Sequence, residues 1–250
     1  MRSNLRFSVA AQTDEGRVRS VNEDSLIVRN DIGLWAVADG MGGHENGQWA
    51  SQTVVGALAE CTASGDFETD LTSTRRALEI ANERIQAEAD LRGKRMGSTV
   101  VIMMADGRRF ACLWVGDSRA YRLRDRRLEQ LTRDHTQVQD MVEKGLLAEE
   151  DVAGHPMSHV LSRAVGVEEV LRTDVLTGDL GSGDIYLLCS DGLSGVITRT
   201  EMEGHLLSAD PATAARNLLD LTLSRNAPDN VTLITIACEE MTALTIPGGV

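Results

Sequence analysis

Aromatic residues are scarce and long apolar runs are missing from this 250-residue chain. Phe, Trp and Tyr make up 3% of it, so Val, Leu, Ile, Ala and Met must fill a core, for which the 42% hydrophobic content is sufficient. No apolar run approaches the roughly 20 residues of a membrane span, and no apolar signal-peptide core stands near the first residue. These absences predict a soluble chain without a targeting segment.

Cysteine is also sparse, and no two cysteines form a C-x-x-C pair. Three of the four lie inside apolar, strand-like runs; the four are Cys61, Cys112, Cys189 and Cys238. We therefore expect buried free thiols, which are typical of a reducing compartment and predict a cytoplasmic protein.

Several common catalytic signatures are missing. Cys189 is not followed by the Arg that the loop of a cysteine-dependent phosphatase needs. Ser194 lies in GLSGV, which lacks the second spaced glycine of a nucleophile elbow. The chain has neither a Walker phosphate-binding motif nor a protein-kinase motif set. These absences exclude the corresponding chemistries.

The charge balance is strongly acidic. Asp and Glu number 38 against 25 Lys and Arg, which gives a formal net charge of −13. This excess disfavours nonspecific binding to nucleic acid and to anionic membranes. Most of it is expected to be solvated surface, but part is available for a carboxylate cluster that a cation neutralises.

One stretch, LWAVADGMGGH, combines an apolar strand with a carboxylate and glycines. Residues 34–38 predict a buried strand that ends at Asp39, and glycine then recurs at Gly40, Gly42, Gly43 and Gly47. A carboxylate at a strand end, followed by backbone that can approach a ligand closely, suits a metal or phosphate site. An ordinary Asp-Gly turn explains the same residues about equally well.

Recurrence of the pattern favours the site. Apolar strands also end at Asp117 and Asp191, and another begins after Asp229, whereas Asp106-Gly107 is typical of a simple hairpin turn. If Asp39, Asp191 and Asp229 converge, they repel one another unless a divalent cation lies between them.

All-oxygen ligands, including a Gly40 carbonyl, favour Mg²⁺ or Mn²⁺ over Zn²⁺. Two such ions can activate a water and hold a phosphoryl oxygen, so the pattern predicts metal-assisted hydrolysis.

Two further residues suit phosphate chemistry. Arg19, in the polar connector TDEGRVRSVNED, offers a planar fork of donors that matches a phosphate dianion. Histidine side chains ordinarily titrate near neutrality, so His44 is a candidate to give a proton to a leaving alkoxide. The alternatives are a surface arginine and a structural histidine.

The secondary-structure pattern indicates antiparallel sheets. Two consecutive hairpins are predicted, at 98–105 with 109–115 and at 119–123 with 128–131, and such hairpins build sheets that can pack face to face. The remaining predicted elements are strands at 7–13, 25–28, 171–176, 185–189 and 231–238 and helices at 48–63, 71–91, 136–144, 201–207 and 211–224. Two consecutive helices between strand sets argue against simple βαβ alternation.

We expect a single domain over residues 1–250. Its longest irregular stretch, about 144–163, is either a functional lid or a variable surface loop. The tail, about 241–250, is expected to be frayed.

Five segments in order, TDEGRVRSVNED, VADGMGGH, GDSRAY, CSDGL and PDNVT, resemble the metal-dependent serine/threonine protein phosphatases of the type-2C, or PPM, family. DGMGGH and the compact length resemble its bacterial branch most. The resemblance covers about residues 9–236. Each segment alone is weak, but five in order are specific.

The resemblance implies an α/β/β/α sandwich and a pair of Mn²⁺ or Mg²⁺ ions that hydrolyse phosphoserine and phosphothreonine with activated water. It implies that Arg19 holds the phosphate, and that residues 144–163 form a mobile flap linked to substrate choice. The implied metal-binding positions are Asp39 bridging both ions with the Gly40 carbonyl, Asp191 and Asp229 on the first ion, Glu23 on the second, Asp24 behind these ligands, and Asp117 with Asp191 at a weaker third site.

The resemblance further implies phosphorylated proteins as substrates and a serine/threonine kinase as the opposing enzyme. We expect the chain to act as a monomer. In many eukaryotic members a His follows the Asp-Gly directly; here Met41 stands there, and His44 is the candidate substitute. A pseudophosphatase that only binds phosphoproteins and a hydrolase of small phosphomonoesters are the alternatives.

Overall fold

A computed structural model describes residues 5–43, 45–152 and 154–240, which form strands and helices in the following order. The strands are β1 (Leu5–Asp14), β2 (Asp24–Arg29), β3 (Leu34–Met41), β4 (Gly97–Ser98), β5 (Val100–Asp106), β6 (Arg109–Val115), β7 (Arg119–Arg124), β8 (Arg127–Gln130), β9 (Asp174–Asp179), β10 (Ile185–Cys189) and β11 (Val231–Glu240). The helices are α1 (Glu45–Ala59), α2 (Phe67–Arg92), α3 (Gln137–Glu143), α4 (Asp191–Ser194), α5 (Arg199–Ser208) and α6 (Pro211–Ser224), with a 3₁₀ turn at Glu149–Asp151.

The strands pair into two antiparallel sheets. One sheet has the order β1-β11-β10-β7-β8. The other has the order β2-β3-β5-β6-β9, and β4 also pairs with β3. Within the described ranges, no helix combines the length and the apolar character that crossing a membrane requires.

Alternation along the strands divides the apolar side chains between separate layers. On β3, Trp35 and Val37 pack between the two sheets, where they meet Tyr186 and Ile234 of the opposing sheet. The alternate β3 residues, among them Leu34, pack against α1 and α2. Because successive side chains of a strand point to opposite faces, one strand contributes to two cores.

The other sheet repeats this arrangement, with a third apolar cluster between its outer face and α4, α5 and α6. Two central sheets therefore lie between two helical layers, and the predicted α/β/β/α sandwich is confirmed. α6 illustrates the local signals: Asp210 caps it, Pro211 opens it, and the predicted bounds 211–224 match the structure.

Several predicted elements differ from the structure. The helices predicted at 48–63 and 71–91 are Glu45–Ala59 and Phe67–Arg92. β3 does not end at Asp39 but continues through Gly40 to Met41, because both of these residues pair with β4. The interpretation of Asp39-Gly40 as a turn is therefore wrong, whereas Asp106-Gly107 does connect β5 and β6. The strand predicted at 171–176 is Asp174–Asp179, because its register is set by pairing with β6 rather than by its own apolar residues. The predicted frayed tail lies outside the described residues.

Candidate metal centre

The ends of strands from both sheets bring acidic side chains to one place. Asp39 on β3 lies directly opposite Asp24 on β2. Asp191 follows β10 at the start of α4, Asp229 lies just before β11, and Asp117 follows β6. These residues are far apart in the sequence, so only the packing of the two sheets makes them neighbours.

A cleft of about 890 Å³ holds most of the predicted site residues. Seven of the nine line it: Arg19, Glu23, Asp39, Gly40, Asp117, Asp191 and Asp229. Asp24 is buried, with 7% of its surface exposed, and lies at the pairing position behind Asp39. The remaining residue, His44, lies outside the described residues.

Burial and neighbouring negative charge raise the pKa of three carboxylates of this cluster, Asp24, Asp39 and Asp117. Burial first, and then the charges of Asp24, Asp191, Asp117 and Asp229, raise the pKa of Asp39 well above its ordinary value. Burial raises the pKa of Asp24 to about 7, against the opposing effect of hydrogen bonds that include one from the Ser190 hydroxyl. Burial and the charge of Asp191 raise the pKa of Asp117 to about 7. Ionising this cluster near neutral pH is therefore unfavourable without a compensating positive charge.

Arg19 supplies one such charge. Its Nη2 donates to Oδ2 of Asp229 over 2.7 Å, and the side chains of Arg19 and Asp229 are 53% and 38% exposed. This contact, above all the hydrogen bond, raises the pKa of Arg19. An ion pair this exposed contributes little stability. A divalent cation can therefore replace Arg19 beside Asp229, and a phosphate can replace Asp229 beside Arg19.

Close backbone approach explains two of the glycines. A Cβ atom on Gly47 would lie 1.8 Å from Oε2 of Glu23, and one on Gly40 would lie 2.0 Å from the carbonyl oxygen of Gly47. Neither position tolerates a side chain. The glycines therefore let the start of α1 pack against the Glu23 carboxylate and the end of β3.

Asn230 holds the connector that carries Arg19, a role that the sequence does not reveal. Its Nδ2 donates to the carbonyls of Glu15 and Val21, and its Oδ1 accepts from the backbone N–H of Glu23. The side chain is 5% exposed. The only sequence signal is that Asn230 directly follows Asp229 in PDNVT.

The long irregular segment reaches the cleft. His159, Val160 and Leu161 line it, and Nδ1 of His159 lies 3.8 Å from Oδ2 of Asp191. Part of the segment 144–163 therefore contributes side chains to the cleft.

The donors fit a hard divalent cation. As the side chains stand, no group of three or more His, Cys, Asp and Glu among the described residues is arranged to hold a metal ion. Mutual repulsion and the Arg19–Asp229 pair oppose a tighter cluster. Yet all the candidate donors are oxygens, and buried Oδ1 of Asp24 accepts no hydrogen bond from any described residue. This surplus of carboxylate suits Mg²⁺ or Mn²⁺.

Known proteins are similar to this chain in sequence and in fold. Residues 13–225 match the family model described as Protein phosphatase 2C. The chain is 38% identical over 237 residues to the serine/threonine protein phosphatase PstP of Mycobacterium tuberculosis, an alignment that covers 93% of this chain and 45% of the relative. The chain thus spans less than half the length of that relative.

Two solved structures are similar over nearly their whole length. One is PppA, a key regulatory component of T6SS in Pseudomonas aeruginosa, with 39% identity, a TM-score of 0.87 and coverage of 93% of this chain and 97% of that one. The other is the catalytic domain of PstP in complex with 2 manganese ions, with 35% identity, a TM-score of 0.83 and coverage of 94% and 99%. The chain therefore belongs to the protein phosphatase 2C family, as its five ordered sequence segments predict.

Proposed function

We propose that this protein hydrolyses phosphoserine and phosphothreonine in proteins with the help of two Mn²⁺ or Mg²⁺ ions. One observation carries the proposal: carboxylates from separate strands of two sheets, together with Arg19, line a single cleft. Membership of the protein phosphatase 2C family and the manganese ions in the PstP complex support it.

The proposed ligands divide between the two ions. Asp39 and the Gly40 carbonyl would contribute to holding both ions, Asp191 and Asp229 would hold one ion, and Glu23 would hold the other. Asp24 would lie behind these ligands, and Asp117 with Asp191 would offer a weaker third site. When bound, the two ions supply a water that ionises near neutral pH and positive charge for the phosphoryl oxygens.

Arg19 is proposed to bind the phosphoryl group of the substrate. Its guanidinium is half-exposed at the cleft and already contacts a carboxylate oxygen, which a phosphate oxygen resembles. With a metal ion bound, Asp229 would serve as its ligand, and Arg19 would then be available to the phosphate. Asn230 holds the connector that carries Arg19. His44 as proton donor stays a prediction.

Metal dependence tests the proposal directly. Phosphate release from a phosphothreonine peptide should require added Mn²⁺ or Mg²⁺, because bare carboxylates neither activate water nor neutralise the phosphoryl group. A chelator should reduce turnover to background, and excess Mn²⁺ should restore it. Turnover that persists in the chelator would contradict the proposed mechanism.

Two controls separate the alternatives. Arg19→Lys should keep the metal dependence but raise KM for the peptide by about tenfold, because a lysine lacks the planar fork. Faster turnover of nucleotides or p-nitrophenyl phosphate than of phosphopeptides would favour a small-molecule hydrolase. Peptide binding without turnover at saturating Mn²⁺ would favour a pseudophosphatase.

The setting of the activity is also a proposal. We infer that the protein acts in the cytoplasm, which the four free cysteines support because a reducing compartment keeps thiols unpaired. We infer that it acts as a monomer and that it reverses the action of a serine/threonine kinase. Residues 144–163 are proposed to act as a flap over the cleft within a single domain. Light scattering tests the monomeric state. The phosphoprotein profile of a deletion strain tests whether the protein opposes a kinase.

A further inference from the structure

A dense group of arginines lies away from the metal centre. Residues 119–133 contain six arginines and two acids, in a chain whose formal net charge is −13. Most of them belong to the hairpin of β7 and β8, which turns at Asp125 and Arg126 with positive φ angles of 50° and 63°. The hairpin is therefore a basic surface on an acidic protein.

Four of the chain's arginines share a pocket of about 440 Å³, which we call the arginine pocket. It is lined by Arg122, Arg124, Asp125, Arg127, Glu129 and Arg199. Five of these residues come from the hairpin, and Arg199 is the first residue of α5. The pocket thus joins the edge of one sheet to a helix of the neighbouring layer.

The arginines of the pocket are not all neutralised by acids. Arg124 is held by both carboxylate oxygens of Asp184, at 2.7 and 2.6 Å, and Arg122 pairs with Glu129 at 3.0 Å. Arg127 and Arg199 are exposed and make no ion pair with any described residue. Two guanidinium groups therefore remain available to an incoming anion.

Two details indicate that the fold tolerates unfavourable contacts here. Arg124 and Arg127 are direct cross-strand partners, and like charges in that position destabilise a sheet. Nε of Arg122 is buried and donates to no described residue. A bound anion would relieve the repulsion between Arg124 and Arg127.

A groove connects the arginine pocket to the metal centre. Arg199 also lines a neighbouring groove of about 980 Å³. The same groove is lined by Asp117, His159 and Asp191, all three of which line the catalytic cleft. A peptide chain that leaves the cleft along this groove would pass Arg199.

We propose that the arginine pocket binds a second oxyanion of the substrate. The preferred substrate is then a phosphoprotein segment that carries another phosphoryl group or an acidic cluster at a distance from the residue whose phosphate is removed. Guanidinium forks match phosphate and carboxylate oxygens, and Arg127 and Arg199 supply the free donors. This inference rests on the proposed phosphatase activity and adds its substrate class.

The test compares phosphothreonine peptides that differ only in the distal group. That group is a phosphoserine, a glutamate pair or an alanine, placed about 4, 8 or 12 residues from the phosphothreonine. These spacings correspond to distances of up to roughly 40 Å in an extended peptide. At the best spacing, the phosphoserine peptide should have a KM about 5- to 10-fold lower than the alanine peptide, the effect of two exposed ion pairs. The glutamate peptide distinguishes a general acidic cluster from a second phosphate.

The double variant Arg127→Glu and Arg199→Glu should abolish this preference and leave kcat for the alanine peptide and for p-nitrophenyl phosphate unchanged. Its matched control is Arg75→Glu with Arg216→Glu, two exposed arginines outside the pocket that give the same change in net charge. An equal loss of preference in the control would mean that only overall charge matters and would overturn the inference. So would equal KM values for all peptides in the unmodified protein.

A binding measurement keeps this test separate from the phosphatase proposal. In a chelator, where no turnover is expected, a fluorescent peptide that carries only the distal phosphoserine should bind the unmodified protein about 5- to 10-fold more tightly than the Arg127→Glu, Arg199→Glu variant. Inorganic phosphate at the same concentration should not displace it fully, because the peptide also contacts the groove. Equal affinity for both proteins would refute the inference even if hydrolysis proceeds normally.

Discussion

Asp39→Asn should lower kcat/KM for a phosphothreonine peptide by about 10³-fold or more, and at the same time raise the melting temperature of the metal-free protein. The loss follows because a neutral amide cannot bridge two cations, whose stabilisation of the reaction amounts to several kcal/mol. The gain follows because four other carboxylates repel Asp39 in the absence of metal. Phosphate release with Mn²⁺ and thermal unfolding in a chelator measure the two effects.

The stabilisation should also depend on pH. The folded protein raises the pKa of Asp39 above its unfolded value, so the native state binds more protons and the metal-free protein loses stability as pH rises. Since asparagine does not titrate, the advantage of Asp39→Asn should grow as pH rises above about 4, the ordinary pKa of an aspartate. Asp106→Asn, in the hairpin turn between β5 and β6, is the matched control and should change neither activity nor the pH profile. A metal-free variant no more stable than the unmodified protein would contradict a repulsive cluster.

Asn230→Ala should lower the free energy of unfolding by about 2–3 kcal/mol and kcat/KM by about 10²-fold. The substitution removes two hydrogen bonds to the connector carbonyls and one from the backbone N–H of Glu23, each worth about 1 kcal/mol. Arg19 and Glu23 then lose their fixed position beside the carboxylates, and misplaced groups slow the reaction. Denaturant unfolding and peptide kinetics measure the two losses.

Asn217→Ala is the matched control, because Asn217 lies on α6 away from the cleft. It should leave both quantities nearly unchanged. Asn230→Asp separates the two functions of the amide: its carboxylate can still accept from Glu23 but cannot donate to Glu15 and Val21. An Asn230→Ala variant with normal kinetics would show that the connector holds its position without this side chain.

Much of the fold could be predicted because local patterns agree with the tertiary structure. The apolar run of β10 and the capped, Pro-initiated α6 appear with the bounds that the sequence predicts. β3 was harder, since the pairing of Gly40 with a two-residue strand depends on a distant segment. β9 was misplaced for the same reason: its partner β6, not its own composition, sets its register.

The site could be predicted in part. The recurrence of Asp beside apolar strands indicated Asp39, Asp117, Asp191 and Asp229, all of which line the cleft. The role of Asn230 and the Arg19–Asp229 pair could not be foreseen, because both depend on which strands become neighbours in the fold. The arginine pocket was also missed, since Arg199 meets the hairpin only through the packing of α5 on the sheet.

The most direct test of the proposed metal centre is anomalous diffraction from crystals grown with Mn²⁺. We expect two peaks about 4 Å apart, the usual separation in two-metal hydrolases, with Asp39 between them and Asp229 released from Arg19. A single peak remote from Asp39, or an Arg19–Asp229 pair that persists at saturating Mn²⁺, would contradict the account.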